Sequence, residues 1–222
     1  MQSLKCNRKF YSINLVVLLI KNGGPMMREI ALVILFVLTI LPFADFSAVN
    51  KQPDELKKGE TFTLPDYNGK EHSLSDYKNS KAIVVMFIAT QCPVSNDYNT
   101  RMAKIYSDYK DKNVTFIGIN SNKQESIDEI KKHSKDNNFG FTVLKDKDNI
   151  IADKYDASVT PEIFVLNGKY EILYHGRIDD SRKVTEVETN DLRKTLDEIL
   201  AGKSVSNPKT KAFGCTIKRV SK

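Results

Sequence analysis

Two long apolar segments constrain the fold of this 222-residue chain more than any other feature. One runs from Lys81 to Ala89 and the other from Val114 to Asn120, and neither shows a regular polar face. Such runs are typical of strands that are buried on both faces of a sheet. Residues 93–110 lie between them and carry apolar side chains at helical spacing. The sequence therefore predicts a central sheet covered by helices on both sides.

The other segments extend this alternation. A short hairpin is predicted for Thr61–Leu64 and Glu71–Leu74, with its turn at Asn68-Gly69. The remaining predicted strands are 141–144, 162–167 and 171–175, and the remaining predicted helices are 126–136, 150–155 and 192–200. Together these elements predict an α/β sandwich with a mixed central sheet over residues 61–202, followed by a tail, residues 203–222, without strong periodicity.

The N-terminal region has the pattern of a targeting segment. Residues 30–44 form one uncharged apolar run after Arg28, which has the length of a signal-peptide core and is shorter than a membrane span of ~20 residues. Residues 26–48 are therefore interpreted as a signal peptide or an N-terminal membrane anchor, and 49–60 as a linker. Residues 1–25 are interpreted as upstream sequence preceding a start at Met26 or Met27. We expect an exported protein, periplasmic or anchored to the outer face of the inner membrane, whose N-terminal segment contacts the membrane or the export machinery.

Charge and residue spacing exclude several classes of function. The net charge is +6, but lysines alternate with acids along residues 49–222, so the basic stripe of a nucleic-acid-binding surface is missing. The three histidines lack metal-ligand spacing, and the chain has neither a phosphate-binding glycine loop nor a serine nucleophile motif. We expect no metal, no cofactor and no nucleic-acid partner.

Cys92 is the residue at which chemistry is expected. It follows the first buried strand and precedes the longest predicted helix, and Pro93 suits the first helical position. At a helix N-terminus the free N–H groups and the helix dipole favour a thiolate, which is the nucleophilic form. Its neighbours Gln91, Ser95 and Asn96 are polar, as suits a reactive surface cysteine rather than an inert core residue. In an exported chain, Cys215 is the second cysteine left after Cys6 is discarded or held near the membrane.

Four segments in this order resemble the thioredoxin superfamily, and within it the redoxin branch of alkyl hydroperoxide reductase/thiol-specific antioxidant type. They are Thr-Gln-Cys-Pro-Val-Ser at 90–95, Val-Thr-Pro-Glu at 159–162, Gly-Arg-Ile-Asp-Asp at 176–180 and Gly-Cys-Thr-Ile at 214–217. The resemblance covers about residues 53–218. It implies a thioredoxin-like three-layer fold and an exported thiol oxidoreductase with Cys92 as nucleophile. It also implies a cis peptide bond before Pro161, facing the Cys92 sulfur, and a Thr160 backbone that accepts an incoming peptide or thiol.

Two departures bear on mechanism. Thioredoxins carry a second cysteine where this chain has Ser95, which can still donate a hydrogen bond to a thiolate. Peroxiredoxins place a threonine three residues before the reactive cysteine and a proline further upstream, whereas Thr90 is two residues before Cys92 and residues 85–89 lack proline. Arg177 is expected either to stabilise the thiolate or to pair with Asp179 or Asp180.

Three functions remain open. The first is thiol–disulfide exchange on protein thiols or disulfides. The second is an atypical peroxiredoxin in which Cys92 reacts with peroxide and Cys215 resolves the sulfenic acid. In both, the cycle is completed by Cys215, if the tail folds back over the helix start, or by an external thiol reductant. The alternative for Cys215 is a structural or intermolecular role. The third is a catalytically weak module that binds partner proteins through the Thr160-Pro161 groove.

Overall fold

The computed structural model describes residues 57–221 of the chain. The expectations for residues 1–25, for the segment 26–48, for Cys6 and for most of the 49–60 linker lie outside the described residues. Across the described range, none of the helices has the length and apolar character needed to cross a membrane.

Within residues 57–221 the structure contains nine strands and five α-helices. The strands are β1 (Thr63–Pro65), β2 (Glu71–Ser73), β3 (Ala82–Phe87), β4 (Val114–Asn120), β5 (Thr142–Lys145), β6 (Val159–Thr160), β7 (Glu162–Leu166), β8 (Ile172–Gly176) and β9 (Cys215–Thr216). The α-helices are α1 (Pro93–Asp97), α2 (Asn99–Tyr109), α3 (Ile127–Asp136), α4 (Ile150–Tyr155) and α5 (Asp191–Leu200). Short 3-10 turns cover Leu74–Tyr77 and Val184–Glu186.

The central sheet is mixed, as the sequence predicts. Its strand order is β5-β4-β3-β7-β8, with β3 parallel to β4 and antiparallel to β7. All six residues of β3 are buried, because alternate side chains enter separate apolar clusters on the two faces. One cluster is covered by α2, α3 and α5, and the other by α4 and the β1–β2 hairpin. This is an α/β three-layer sandwich, and the predicted fold class is confirmed.

The predicted helix 93–110 is divided in two at Tyr98. Residues Pro93–Asp97 form α1, and α2 begins at Asn99 after one tight turn in which the Tyr98 N–H donates to the Ser95 carbonyl at 3.1 Å. The Tyr98 ring is buried and its hydroxyl donates to the Ser181 carbonyl at 2.9 Å. The break thus lets a large side chain enter the core beside the loop that carries Cys92.

The C-terminal tail contains structure that periodicity did not predict. Residues Cys215–Thr216 form β9, which pairs antiparallel with the two-residue strand β6. Before β9, the His175 N–H donates to the Pro208 carbonyl and the Thr210 N–H donates to the His175 carbonyl. After it, the Ile217 N–H donates to the Ser158 carbonyl at 3.0 Å and the Ile217 side chain is buried. The tail therefore lies along the domain and is fixed on both sides of Cys215.

Candidate active site

Cys92 lies at the N-cap of α1, where its sulfur meets the first turn of the helix. Its backbone is extended, with φ −82° and ψ 116°, and Pro93 takes the first helical position, as predicted. The Ser95 N–H donates to the Cys92 Sγ at 3.3 Å. An N–H directed at sulfur stabilises a thiolate more than a thiol, since the negative charge strengthens the hydrogen bond. The surface position expected from its polar neighbours is wrong, because Cys92 is almost fully buried, with 5% of its surface exposed.

Ser95 acts on Cys92 through its backbone rather than through its hydroxyl. Its hydroxyl oxygen instead accepts a hydrogen bond from the Ala89 N–H at 3.2 Å, and the whole residue is buried. Ser95 therefore holds the end of β3 against the first turn of α1, and its N–H supplies the hydrogen bond to sulfur that the sequence assigned to its hydroxyl.

The Thr160–Pro161 peptide bond is cis, as the resemblance implies. The Thr160 carbonyl oxygen lies 3.3 Å from the Cys92 Sγ. This oxygen can accept a hydrogen bond from a thiol but repels a thiolate, so it opposes the effect of the Ser95 N–H. Both groups reach the same sulfur, and they bring the 159–161 segment to the start of α1, as expected.

Cys215 lies on β9 and is joined to Cys92 by a disulfide, with 5.8 Å between the two Cα atoms. Within the β6–β9 pairing, Cys215 is opposite Thr160 and Thr216 is opposite Val159. Gly214 packs directly on the Thr160 carbonyl, where an added Cβ would overlap the oxygen. Unlike Cys92, Cys215 is partly exposed. The two cysteines are therefore in bonding contact across 123 residues of sequence.

Arg177 is held away from the sulfur by other partners. Its Nε donates to the Asp191 carboxylate at 2.7 Å and its Nη2 lies 3.4 Å from the Thr189 hydroxyl. Burial works against the charged guanidinium and would lower its pKa, but Asp191, with smaller contributions from Asp180 and Tyr174, raises the pKa of Arg177 overall. The pairing expected as the alternative, with Asp179 or Asp180, gives way to Asp191: Asp179 accepts from Arg101, and Asp180 accepts from the backbone N–H groups of 188 and 189 and acts on Arg177 through its charge alone. These contacts do not support a role for Arg177 at Cys92.

Glu162 is a site residue that the sequence analysis missed. Its buried carboxylate accepts from the backbone N–H groups of Ser158 and Val159 at 2.8 and 3.1 Å, and it lies 2.6 Å from the His175 ring nitrogen. Burial alone would raise the pKa of Glu162, but these hydrogen bonds lower it overall. The carboxylate thus fixes the segment that enters the cis peptide. Its position directly after Pro161 was the available signal.

Glu125 is a second residue that was missed. Its carboxylate is buried and accepts from the Thr90 N–H at 2.7 Å and the Gln91 N–H at 3.1 Å, the two amides before Cys92. Because Glu125 is 33 residues away from Cys92 in an irregular loop, no local pattern in the sequence connects the two.

Comparison with known proteins agrees with this geometry. The family model described as AhpC/TSA family matches residues 56–181, more than half of the chain. That range contains Cys92, Thr160 and Pro161, and Cys215 lies beyond it. The thiol-disulfide oxidoreductase ResA of Bacillus subtilis is 27% identical over 144 residues, which cover 64% of this chain and 79% of ResA. The chloroplastic peroxiredoxin Q of Sedum lineare is 25% identical over 144 residues, covering 60% and 76%.

Solved structures share the fold of this chain. A hypothetical protein from Sinorhizobium meliloti 1021 superposes with a TM-score of 0.71 at 30% identity, covering 75% of this chain and 95% of that protein. The thioredoxin domain of a thiol-disulfide oxidoreductase from Bacteroides vulgatus superposes with a TM-score of 0.53 at 20% identity, covering 65% and 96%, which shows the fold alone. The family match over residues 56–181, together with the thioredoxin fold and the position of Cys92 at the start of α1, shows that the chain belongs to the AhpC/TSA family.

Proposed function

We propose that the protein is a two-cysteine thiol oxidoreductase in which Cys92 is the nucleophile and Cys215 the resolving thiol. One observation carries the proposal: the Cys92–Cys215 disulfide, formed at the start of α1 where the Ser95 N–H meets the Cys92 sulfur. A thiolate stabilised at this position is both a good nucleophile and a good leaving group in disulfide exchange.

The cycle consists of two balanced exchanges. The Cys92 thiolate attacks one sulfur of a substrate disulfide, forms a mixed disulfide and releases the other sulfur as a thiolate. The Cys215 thiolate then attacks the Cys92 sulfur, forms the internal disulfide and releases the second substrate thiolate. The substrate gains two electrons and the cysteine pair loses two. An external thiol reductant returns the pair to its reduced form, and each step is reversible.

The Thr160-Pro161 segment is proposed to receive the substrate chain, with one added condition. Its strand-pairing position is taken by β9 in the disulfide form. A protein substrate can pair there only after the Cys215 segment has moved aside. Binding of an extended protein chain is therefore expected to depend on the redox state of the pair.

The test is a rate comparison on the reduced full chain carrying Cys6→Ser, so that Cys92 and Cys215 are its only thiols. Loss of the Cys92 thiol is followed across pH with a small disulfide and with hydrogen peroxide, and Cys92→Ser is the control. The proposal is supported if Cys92 reacts with the small disulfide faster than free cysteine does and the internal Cys92–Cys215 disulfide then forms. Reaction with neither reagent faster than free cysteine would overturn it and favour the protein-binding module.

A peroxidase is the second candidate, favoured by the family match and by the peroxiredoxin relative. The Cys92 thiolate would attack a peroxide oxygen to give a sulfenic acid and an alcohol or water, and the Cys215 thiol would then condense with the sulfenic acid to form the disulfide and release one water. The threonine and proline spacing at 85–92 does not match that chemistry. Peroxide reacting orders of magnitude faster than the disulfide in the same experiment would select this candidate.

The proposed location is outside the cytoplasm, because the 26–48 segment has the pattern of a signal peptide or anchor. Disulfide chemistry persists in that compartment. The proposed partners are protein thiols or disulfides and one external thiol reductant. Fractionation of the source cells, followed by N-terminal sequencing of the mature chain, tests the location and the cleavage together.

A further inference from the structure

A line of hydrogen bonds through the buried residues Asn122 and Glu125 joins the two segments that carry the cysteines. It starts at the Gln91 N–H, which donates to Glu125 Oε1 at 3.1 Å. The Asn122 side-chain amide donates to the same oxygen at 2.9 Å, and its own oxygen accepts from the Lys218 N–H at 2.7 Å. Gln91 directly precedes Cys92, and Lys218 follows Cys215 by three residues. Two side chains thus span the distance between the two cysteine-bearing segments.

On the Cys92 side, Glu125 holds the loop with both carboxylate oxygens. Oε2 accepts from the Thr90 N–H at 2.7 Å while Oε1 accepts from Gln91. Glu125 has 1% of its surface exposed, so water has little access to its carboxylate. Hydrogen bonds from N–H groups to a buried carboxylate are among the stronger ones in proteins. Glu125 therefore fixes the two peptide units before the nucleophile.

On the Cys215 side, Asn122 fixes the tail together with its neighbour. The Lys123 N–H donates to the Lys218 carbonyl at 2.8 Å, so Lys218 is held through both its N–H and its carbonyl. Asn122 is buried. Residues 216 and 217 alone separate Cys215 from this anchor. Any displacement of Cys215 must therefore come mainly from the segment that precedes it.

The buried Lys145 binds the backbone of both Asn122 and Glu125. The Lys145 ammonium donates to the Asn120 side-chain oxygen at 3.0 Å, to the Asn122 carbonyl at 2.6 Å and to the Glu125 carbonyl at 2.8 Å. The Asn120 amide in turn donates to the Glu125 carboxylate. Every member of this cluster comes from β4, β5 or the loop after β4, which ties it to the rigid central sheet.

We propose that Asn122 and Glu125 are positioning residues for the cysteine pair: Glu125 holds the Cys92 loop, Asn122 holds the Cys215 tail, and the bond between them sets how readily the disulfide closes. The inference rests on the proposed function, since it requires Cys92 and Cys215 to cycle. Neither side chain bonds to sulfur in the structure, so both act through the segments that they hold.

The test measures the equilibrium of the Cys92–Cys215 disulfide against glutathione on the full chain carrying Cys6→Ser. Asn122→Ala removes the two hydrogen bonds that the Asn122 side chain makes. Glu125→Gln keeps the shape of the side chain while removing its charge and replacing one acceptor oxygen by an NH₂ donor. Each change is expected to lower the equilibrium constant for disulfide formation about tenfold, the effect of losing one hydrogen bond to a charged group. The double variant is expected to lose less than the product of the two, because the residues act through one bridge.

Glu129→Gln is the matched control. Glu129 is a half-buried carboxylate that accepts from the Gln91 side chain and, at the start of α3, from the Ser126 N–H, rather than from the backbone of residues 90 and 91. Its replacement is expected to change the equilibrium by about twofold or less, since its charge reaches the Cys92 loop only through an exposed side-chain contact. A second measurement separates positioning from general stability: the pH profile of Cys92 alkylation in the reduced protein. Loss of the Glu125 charge is expected to shift that profile to lower pH, because a nearby negative charge disfavours the thiolate.

The outcomes are distinct. If the wild-type chain forms no internal disulfide in the glutathione buffer, the proposed function fails and this inference with it. If the wild type forms the disulfide, and Asn122→Ala and Glu125→Gln match it within the spread of Glu129→Gln, the inference alone is overturned. Near-ultraviolet circular dichroism of each oxidised variant verifies the fold, and Glu125→Gln alone carries the test if Asn122→Ala does not fold.

Discussion

Thr160 and Cys215 face each other in an antiparallel strand pair, and the Thr160 carbonyl also lies 3.3 Å from the Cys92 sulfur. The strand pairing thus holds Cys215 against Thr160, and the disulfide holds the same residue against Cys92. The edge on which an incoming chain would pair is covered by a segment of the protein itself. We therefore expect the position of the Cys215 segment to control both closure of the disulfide and access to Cys92.

The two cysteines are expected to respond differently to replacement by serine. Cys92→Ser removes the nucleophile, so no mixed disulfide with a small disulfide substrate should form at this site. Cys215→Ser keeps the nucleophile but removes the resolving thiol, so the Cys92 mixed disulfide should accumulate until an external thiol releases it. Mass spectrometry after an acid quench, in the Cys6→Ser background, distinguishes the two. Equal accumulation in the wild type and in Cys215→Ser would show that Cys215 does not resolve the intermediate.

The central sheet was predictable because its strands are continuous apolar runs whose burial is decided locally, as in 81–89 and 114–120. The position of Cys92 followed from Pro93 and from the helical spacing after it. By contrast, β6 and β9 are two residues long, too short for a periodic signal, and pair across more than fifty residues. The contacts of Glu125 are equally non-local, and Arg177 found a partner, Asp191, in a later helix. Such contacts depend on tertiary packing, which local pattern does not encode.

We expect that position 214 accepts no side chain larger than that of glycine while β9 is paired with β6. A Cβ at this position would overlap the Thr160 carbonyl, so Gly214→Val must push β9 away from β6. Forced overlap of this kind costs about 1–3 kcal/mol, which corresponds to closure slowed by about fivefold to 150-fold. Closure is measured as the rate at which Cys215 releases glutathione from a Cys92–glutathione mixed disulfide. Thr216→Val, an isosteric change at an exposed position of the same strand, is the control and should close at the wild-type rate. Equal rates for the two variants would contradict the packing argument.

Reduction of the disulfide is expected to lower the free energy of unfolding. The bond links residues 123 apart, and a link of that length restricts the unfolded chain by about 3–5 kcal/mol. Urea unfolding in the presence and absence of a reductant, again in the Cys6→Ser background, measures the difference. The double variant Cys92→Ser/Cys215→Ser should unfold at the same urea concentration with and without reductant. A wild-type midpoint that does not move on reduction would mean that the bond contributes nothing to stability.

Glu162 is expected to stabilise the domain in a pH-dependent manner. Burial opposes ionisation of this carboxyl, but hydrogen bonds from His175 and from the Ser158 and Val159 N–H groups lower its pKa in the folded protein. A carboxyl whose folded pKa is below the unfolded value of about 4.3 adds stability above that pH, and the stability is lost as the pH falls through the folded pKa. Glu162→Gln should therefore cost about 1–3 kcal/mol near pH 7, where charge-assisted hydrogen bonds are lost. The deficit should shrink when the pH falls below about 4. Urea unfolding of both proteins at pH values from about 3 to 7, a range that includes the unfolded pKa, measures this difference in the free energy of unfolding.

Glu60→Gln, which changes an exposed carboxylate, is the control and should differ from the wild type by less than about 0.5 kcal/mol at every pH. A Glu162→Gln deficit that grows as the pH falls would reverse the sign of the argument and show that the carboxyl is held in its protonated form.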